Sequence, residues 1–169
     1  MSCYISKYES PLGKITIASD GEGIIGLWLD GQKYFASTLG DDFSKDKGLE
    51  VFNKAHEWLD SYFAGENPKI TLPLMLKGSE FREKIWGILL DIPYGKLTTY
   101  SEVTKTYEEL TGKKTSPRAV GGAVGHNPVS IIVPCHRVVG AKGSLTGYAG
   151  GIDKKTWLLE HEKAPMKGL

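Results

Sequence analysis

The sequence predicts an α+β protein in two parts, a small antiparallel sheet with a covering helix followed by a helical domain. Three observations carry this reading. Residues 3–9, 13–19 and 23–29 are short apolar-alternating runs separated by turn residues. Residues 49–63, 79–90, 101–110 and 153–162 place their apolar side chains at helical spacing. The strand-like runs all precede residue 30, whereas most of the helical ones follow residue 78, and such segregation points to α+β.

The first part is assigned to residues 1–76. SPLG (10–13) and DGEG (20–23) supply the turns of a three-stranded meander. In LEVFNKAHEWLDSYF (49–63), Val51, Phe52, Ala55, Trp58, Leu59 and Tyr62 form one helical stripe that can cover the sheet. AGENPKITLPLMLKG (64–78) has no periodicity and reads as a linker.

The second part, 77–169, opens on SEFREKIWGILL (79–90), an amphipathic helix with Ser79 as N-cap. IPYG (92–95) is a turn. In SEVTKTYEEL (101–110), Val103, Tyr107 and Leu110 share a face. Ser116-Pro117 then starts another helix, with serine as the cap and proline at the first helical position. Two helices joined by a short Gly-containing link match the helix-turn-helix pattern. The second of them, RAVGGAVGH, is small in its side chains. Gly121 and Gly122 cost about 1 kcal/mol each relative to alanine, which favours tight helix packing or close approach of a nucleic-acid groove. Asn127-Pro128 ends the helix. The last helix, DKKTWLLEHE (153–162), has Asp153 as its cap and Glu162 on the same face as Leu158 and Leu159.

The 169-residue chain carries a net charge of +1, unevenly spread. Residues 1–78 hold 8 Lys+Arg against 11 Asp+Glu, and residues 79–169 hold 13 against 9. The second part can face a polyanion and the first cannot. There is no apolar run long enough to span a bilayer and no signal-peptide pattern. Two cysteines, Cys3 and Cys135, make no disulfide framework, so a reducing cytoplasmic compartment is expected. No histidine lies at zinc-type spacing from either cysteine, and no phosphate-cradling loop is present. Neither a metal nor a nucleotide cofactor is expected.

The chemistry concentrates in IIVPCHRVVG (131–140). In a regular strand Cys135 and His136 would point to opposite faces. Pro134 cannot join a hydrogen-bond ladder, so a strand should break near Cys135. Two readings of the pair stand side by side. The cysteine is a small core residue, or a base lowers its pKa and makes it a thiolate nucleophile. Glu162 is either the carboxylate that orients His136 or a solvated helix end.

PRAVGGAVGHNPVSIIVPCHRVVG (117–140), with GYAGG (147–151), WLLEHE (157–162) and SPLGKITIASD (10–20), resembles the O6-alkylguanine-DNA alkyltransferase family over nearly the whole chain. The resemblance implies a winged helix-turn-helix-like second domain that binds double-stranded DNA as a monomer. It implies single-use transfer of an alkyl group from guanine O6 to Cys135, with no cofactor. His136 would take the thiol proton through a water and Glu162 would orient His136. Asn127 would brace the turn, and Tyr100 would donate a hydrogen bond to the guanine and aid its rotation out of the duplex. Arg118 would fill the vacated stack, with Ala119 and Gly122 on the same DNA-facing helix. Val138, Tyr148 and Ala149 would line the guanine pocket. Ala149 stands where some relatives carry serine, which leaves only its backbone N–H to meet O6. Cys3 lies near a zinc ligand of some relatives, but the other ligands are missing.

Overall fold

The computed structural model describes residues 3–32, 43–45, 48–145, 148 and 151–165. It separates into two compact units, Met1–Lys77 together with Pro128–Ser130, and Gly78–Asn127 together with Ile131–Leu169.

In the first unit β1 (Tyr4–Ser10), β2 (Gly13–Ser19) and β3 (Ile24–Leu29) form the expected antiparallel meander. The turn after β2 is held by side chains. Asp20 Oδ1 accepts from the N–H groups of Glu22 and Gly23, both at 2.9 Å, as an aspartate does when it mimics a backbone turn. A two-residue strand, β4 (Ser44–Lys45), adds to β1 in parallel, so the sheet order is β3-β2-β1-β4. Helix α1 (Glu50–Phe63) buries the six residues of the predicted stripe.

The segment expected to be a linker is partly fixed. Ile24 N–H donates to Pro73 O and Met75 N–H to Ile24 O, both at 2.8 Å, and Leu72 is buried. Pro128–Ser130 belongs to this unit for a similar reason. Leu27 N–H donates to Pro128 O at 2.8 Å, and Ser130 N–H donates to Leu27 O at 3.0 Å. Proline fits there because only its carbonyl is needed. No spacing rule signals either pairing, since both join segments distant in sequence.

The second unit is helical. Ser79 caps α2 (Glu80–Leu90), accepting from Arg82 N–H at 3.2 Å. Thr99 caps α3 (Tyr100–Thr111) by accepting from Glu102 N–H at 3.1 Å. Ser116 caps α4 (Pro117–Gly125) by accepting from Ala119 N–H at 3.1 Å, with Pro117 at the first helical position as expected. The three helices pack on one another around Ile85, Trp86, Val103, Tyr107 and Val120. Trp86 Nε1–H donates to Ala123 O at 2.8 Å and so ties α2 to α4. Leu110 departs from expectation. It is 65 % exposed, at the edge of an open groove whose other wall is α2.

A second sheet pairs β5 (Thr98–Thr99) in parallel with β6 (Val138–Val139). The last helix, α5, runs Ile152–His161. Its cap is Gly151, at φ +99°, and not Asp153, which sits in the first turn and makes no capping bond. No helix among the described residues is long and apolar enough to cross a membrane.

Candidate active site and DNA-facing helix

Pro134 ends the apolar run and Cys135–Arg137 form a single 3-10 turn, with Arg137 N–H donating to Pro134 O at 3.0 Å. This is the break expected near Cys135. Only Val138 and Val139 of the segment are strand. At three residues per turn, successive side chains leave the backbone about 120° apart. Three adjacent residues therefore address three different neighbours. Ile131 sits at φ +71°, a left-handed conformation that a β-branched residue rarely adopts.

Asn127 follows α4 and spans the turn from its other side. Its Nδ2 donates to Val133 O at 2.8 Å, and its side chain hydrogen-bonds the Cys135 sulfur. Cys135 is 4 % exposed. Burial pushes its thiol above the ordinary value, against the opposing pull of Asn127, the Lys155 charge and nearby backbone N–H groups. The resting sulfur is a protonated thiol, because a dry site disfavours its charge more than its neighbours favour it.

His136 is fully buried and meets Glu162 Oε2 through Nε2 at 2.6 Å. Glu162 caps the C-terminus of α5 and points inward, so the solvated-end alternative fails. A carboxylate only accepts, so Nε2 carries the imidazole proton and Nδ1 keeps its lone pair. Nδ1 is buried and has no hydrogen-bond partner among the described residues. Burial lowers the His136 pKa, an effect that the Arg137 and Lys155 charges reinforce and Glu162 opposes. The ring is therefore neutral, with a free basic nitrogen.

Two residues that the sequence reading passed over complete this centre. Arg137 donates from Nε to Glu162 Oε1 at 2.8 Å, from Nη2 to Oε2 at 3.1 Å, and from Nη1 to Ile92 O at 2.7 Å. Burial alone would raise the Glu162 pKa, but its bonds to His136 and Arg137 hold it well below the usual carboxylate range. Lys155, on the inner face of α5, is fully buried and donates from Nζ to Val138 O at 2.6 Å. Burial pushes its pKa down to about 8, while a charge on Cys135 would raise it. A basic residue in the helical register of Leu158 and Leu159 was the available signal for Lys155. Arg137 offered none beyond its place beside His136.

Tyr100 opens α3, directly after β5. Its position therefore follows from the β5–β6 pairing, which joins it to the strand beginning three residues beyond Cys135. Burial raises its hydroxyl pKa, and a charge on Cys135 raises it further, so it remains a donor. Val138 and Tyr148 are buried. Ala149 lies outside the described residues.

Arg118, Ala119 and Gly122 are all exposed on α4. A Cβ placed on Gly121 would come no closer than 3.9 Å to the Tyr100 ring, and one on Gly122 would meet nothing within 4 Å. Helix packing does not require either glycine, and the face with Arg118 is open. Among the described residues no group of three or more His, Cys, Asp or Glu could hold a metal ion.

Residues 80–164 match the family described as 6-O-methylguanine DNA methyltransferase, DNA binding domain, and residues 3–76 match the ribonuclease-like domain of the same proteins. The methylated-DNA–protein-cysteine methyltransferase of Mycobacterium bovis is 43 % identical over 92 % of this chain and 90 % of its own length. That of Methanosarcina acetivorans is 41 % identical over 94 % and 97 %. The Mycobacterium tuberculosis protein OGT, solved in complex with DNA, has a TM-score of 0.83 at 41 % identity, covering 98 % of this chain and 96 % of that one. A Methanococcus jannaschii O6-methylguanine DNA methyltransferase has a TM-score of 0.61 at 32 % identity, covering 97 % and 96 %. With both domains matched in order and relatives this similar along their whole length, the chain belongs to the 6-O-methylguanine DNA methyltransferase family.

Proposed function

We infer that this protein repairs O6-alkylated guanine in double-stranded DNA directly, moving the alkyl group onto its own Cys135 in a single, irreversible turnover. The observation that carries the assignment to Cys135 is the neutral His136, held by Glu162 at 2.6 Å with its other nitrogen unpaired, next in sequence to a buried thiol.

The reaction follows from these groups. His136 Nδ1 takes the Cys135 proton through a bridging water. The sulfur attacks the alkyl carbon, the S–C bond forms as the C–O6 bond breaks, and the electron pair passes to guanine. Tyr100 donates a hydrogen bond or proton to the departing base. The proton lost by sulfur balances the one finally gained by guanine. A buried site suits this displacement, since a dry sulfur is unscreened by water once it loses its proton. The alkyl donor is the DNA itself, so no cofactor enters. Because the acceptor has to persist as a free thiol, the protein works in a reducing, cytoplasmic compartment, and it acts as a monomer.

A stacked base cannot present O6 to a buried sulfur, so the guanine is turned out of the duplex at a cost of a few kcal/mol. Arg118 sits at the start of a helix whose exposed face carries small residues and can enter a minor groove. It fills the gap that the base leaves. Val138 and Tyr148 line the pocket that receives the base, with Ala149 completing it. Replacing Arg118 with alanine is expected to slow repair of duplex DNA about tenfold, as loss of roughly 1.4 kcal/mol of flipping assistance would. Transfer from free O6-benzylguanine, which needs no flipping, should change less than about threefold. Equal slowing of both reactions would contradict the stack-filling role.

The decisive experiment incubates the protein with a duplex carrying one O6-methylguanine and measures its intact mass. Each chain should gain one methyl group, mapped to Cys135, with product limited to one per protein. Tight binding with unchanged mass would make it a lesion sensor. Repeated turnover of an ester or amide substrate would make it a cysteine hydrolase.

A further inference from the structure

Glu162 accepts more hydrogen bonds than the orientation of one histidine requires. Oε2 takes His136 Nε2 and Arg137 Nη2, while Oε1 takes Arg137 Nε and the N–H of Gly95 at 3.1 Å. Arg137 continues to Ile92 O, and its guanidinium lies 5.7 Å from the centre of the Tyr94 ring. Gly95 has φ +73°, and a Cβ there would stand 3.0 Å from the Glu162 carbonyl oxygen. The 92–95 turn is thus drawn tightly against the end of α5. Arg137 is buried with it.

We propose that Arg137 is a positioning residue for alkyl transfer, which neutralises the Glu162 carboxylate through a two-pronged contact and thereby leaves His136 free to serve as a neutral base. The inference rests on the reading of His136 as the base for Cys135. A guanidinium is charged at every accessible pH and matches a carboxylate in geometry. With its charge balanced by Arg137, Glu162 needs only a hydrogen bond from the imidazole. Without Arg137 the same carboxylate would be balanced by an imidazolium. A protonated His136 cannot accept the thiol proton.

The groups facing the imidazole are Glu162 and Lys155 from α5 and Cys135 and Arg137 from its own turn. Tyr94 from the 92–95 turn and Tyr100 from α3 border this cluster through Arg137 and Cys135 respectively. Lys155 also opposes protonation of His136, but its hydrogen bond goes to Val138 O and not to Glu162. Arg137 carries a charge and shares the carboxylate oxygens with His136.

The test is the pH profile of single-turnover transfer from an O6-methylguanine duplex. Arg137→Met should move the acid limb of the profile upward by about one pH unit or more, as expected when a histidine is left as the sole partner of a buried carboxylate. Transfer should be about tenfold slower near pH 7 and recover toward the wild-type rate in alkali. Arg137→Lys keeps the charge and should hold the limb near its wild-type position. A uniform loss at every pH in Arg137→Met, or a limb in Arg137→Lys displaced as far as in Arg137→Met, would reduce Arg137 to a structural contact. Nitrogen NMR of His136 in the unmodified wild-type protein keeps the proposal falsifiable even if Arg137→Met does not fold. The proposal requires a neutral Nε2–H ring at pH 7, and an imidazolium would overturn it. His136→Ala separates the two levels. If that variant transfers with the wild-type rate and profile, the base assignment fails. If it is impaired while Arg137→Met keeps the wild-type limb, only the role of Arg137 fails.

Discussion

Serine at position 135 is expected to abolish alkyl transfer while leaving DNA affinity within about twofold of wild type, since the contact with DNA is proposed to lie on α4. The exchange swaps one atom in a site that is 4 % exposed and disturbs little packing. Chemically it is severe. The Cys135 thiol is already pushed upward by burial, so the site depends on His136 to accept a proton that sulfur can surrender. A serine hydroxyl is far less acidic and its oxygen a poorer nucleophile toward an alkyl carbon. Loss of an attacking group of this kind costs a thousandfold or more in rate, roughly. Intact-mass measurement with the methylated duplex should show no gain for Cys135→Ser, and a binding titration should show a near wild-type curve. Parallel loss of binding and transfer would mean that the cysteine supports the fold of the domain. Retained transfer would move the acceptor elsewhere.

Replacing Glu162 with alanine should remove both stability and activity. Arg137 would be left with Ile92 O as its remaining acceptor, and His136 would lose the group that fixes its tautomer. Leaving one member of a buried ion pair without its partner costs about 3–5 kcal/mol. Denaturant titration should report a loss of that size, and transfer should fall with it even at temperatures where the variant is folded. A loss below about 1 kcal/mol would mean that Arg137 reaches solvent once released. The pH dependence has a definite sign. Glu162 in the folded protein lies below the usual carboxylate range and His136 lies below the usual histidine value. In each case the unfolded chain binds the proton first as the solution is acidified. Stability therefore falls with pH, beginning near the ordinary histidine value of about 6.5 and steepening below the ordinary carboxylate value of about 4.3. In Glu162→Ala the lower part should be shallower, with the share of Asp20, whose turn hydrogen bonds also hold it below its ordinary value, remaining.

Much of this was legible in the order of residues. The apolar stripe of α1, the caps at Ser79 and Ser116 and the meander of the first three strands follow from local rules, because hydrophobic spacing and capping bonds involve residues at most a few positions apart. Leu110 and Asp153 show the limit of such rules. Each has the right residue type at the right spacing, yet neighbouring helices leave Leu110 uncovered and Gly151 already supplies the turn into α5. The fixed linker at 72–75 and the pairing of 128–130 with β3 were hidden, since backbone hydrogen bonds between distant segments leave no periodic mark.

At the site, the neighbours Cys135 and His136, the break after Pro134 and the inward register of Glu162 could all be read from the chain. By itself the sequence determined which groups were available, a thiol, an imidazole and a carboxylate, together with the helix that would meet DNA. Only the tertiary structure decided their state. It set Arg137 across both oxygens of Glu162 and buried Lys155 against Val138 O, and it left the thiol protonated beside a neutral ring. The physical reason is that protonation depends on desolvation and on charges brought close by folding from residues distant in sequence, as Glu162 is from His136.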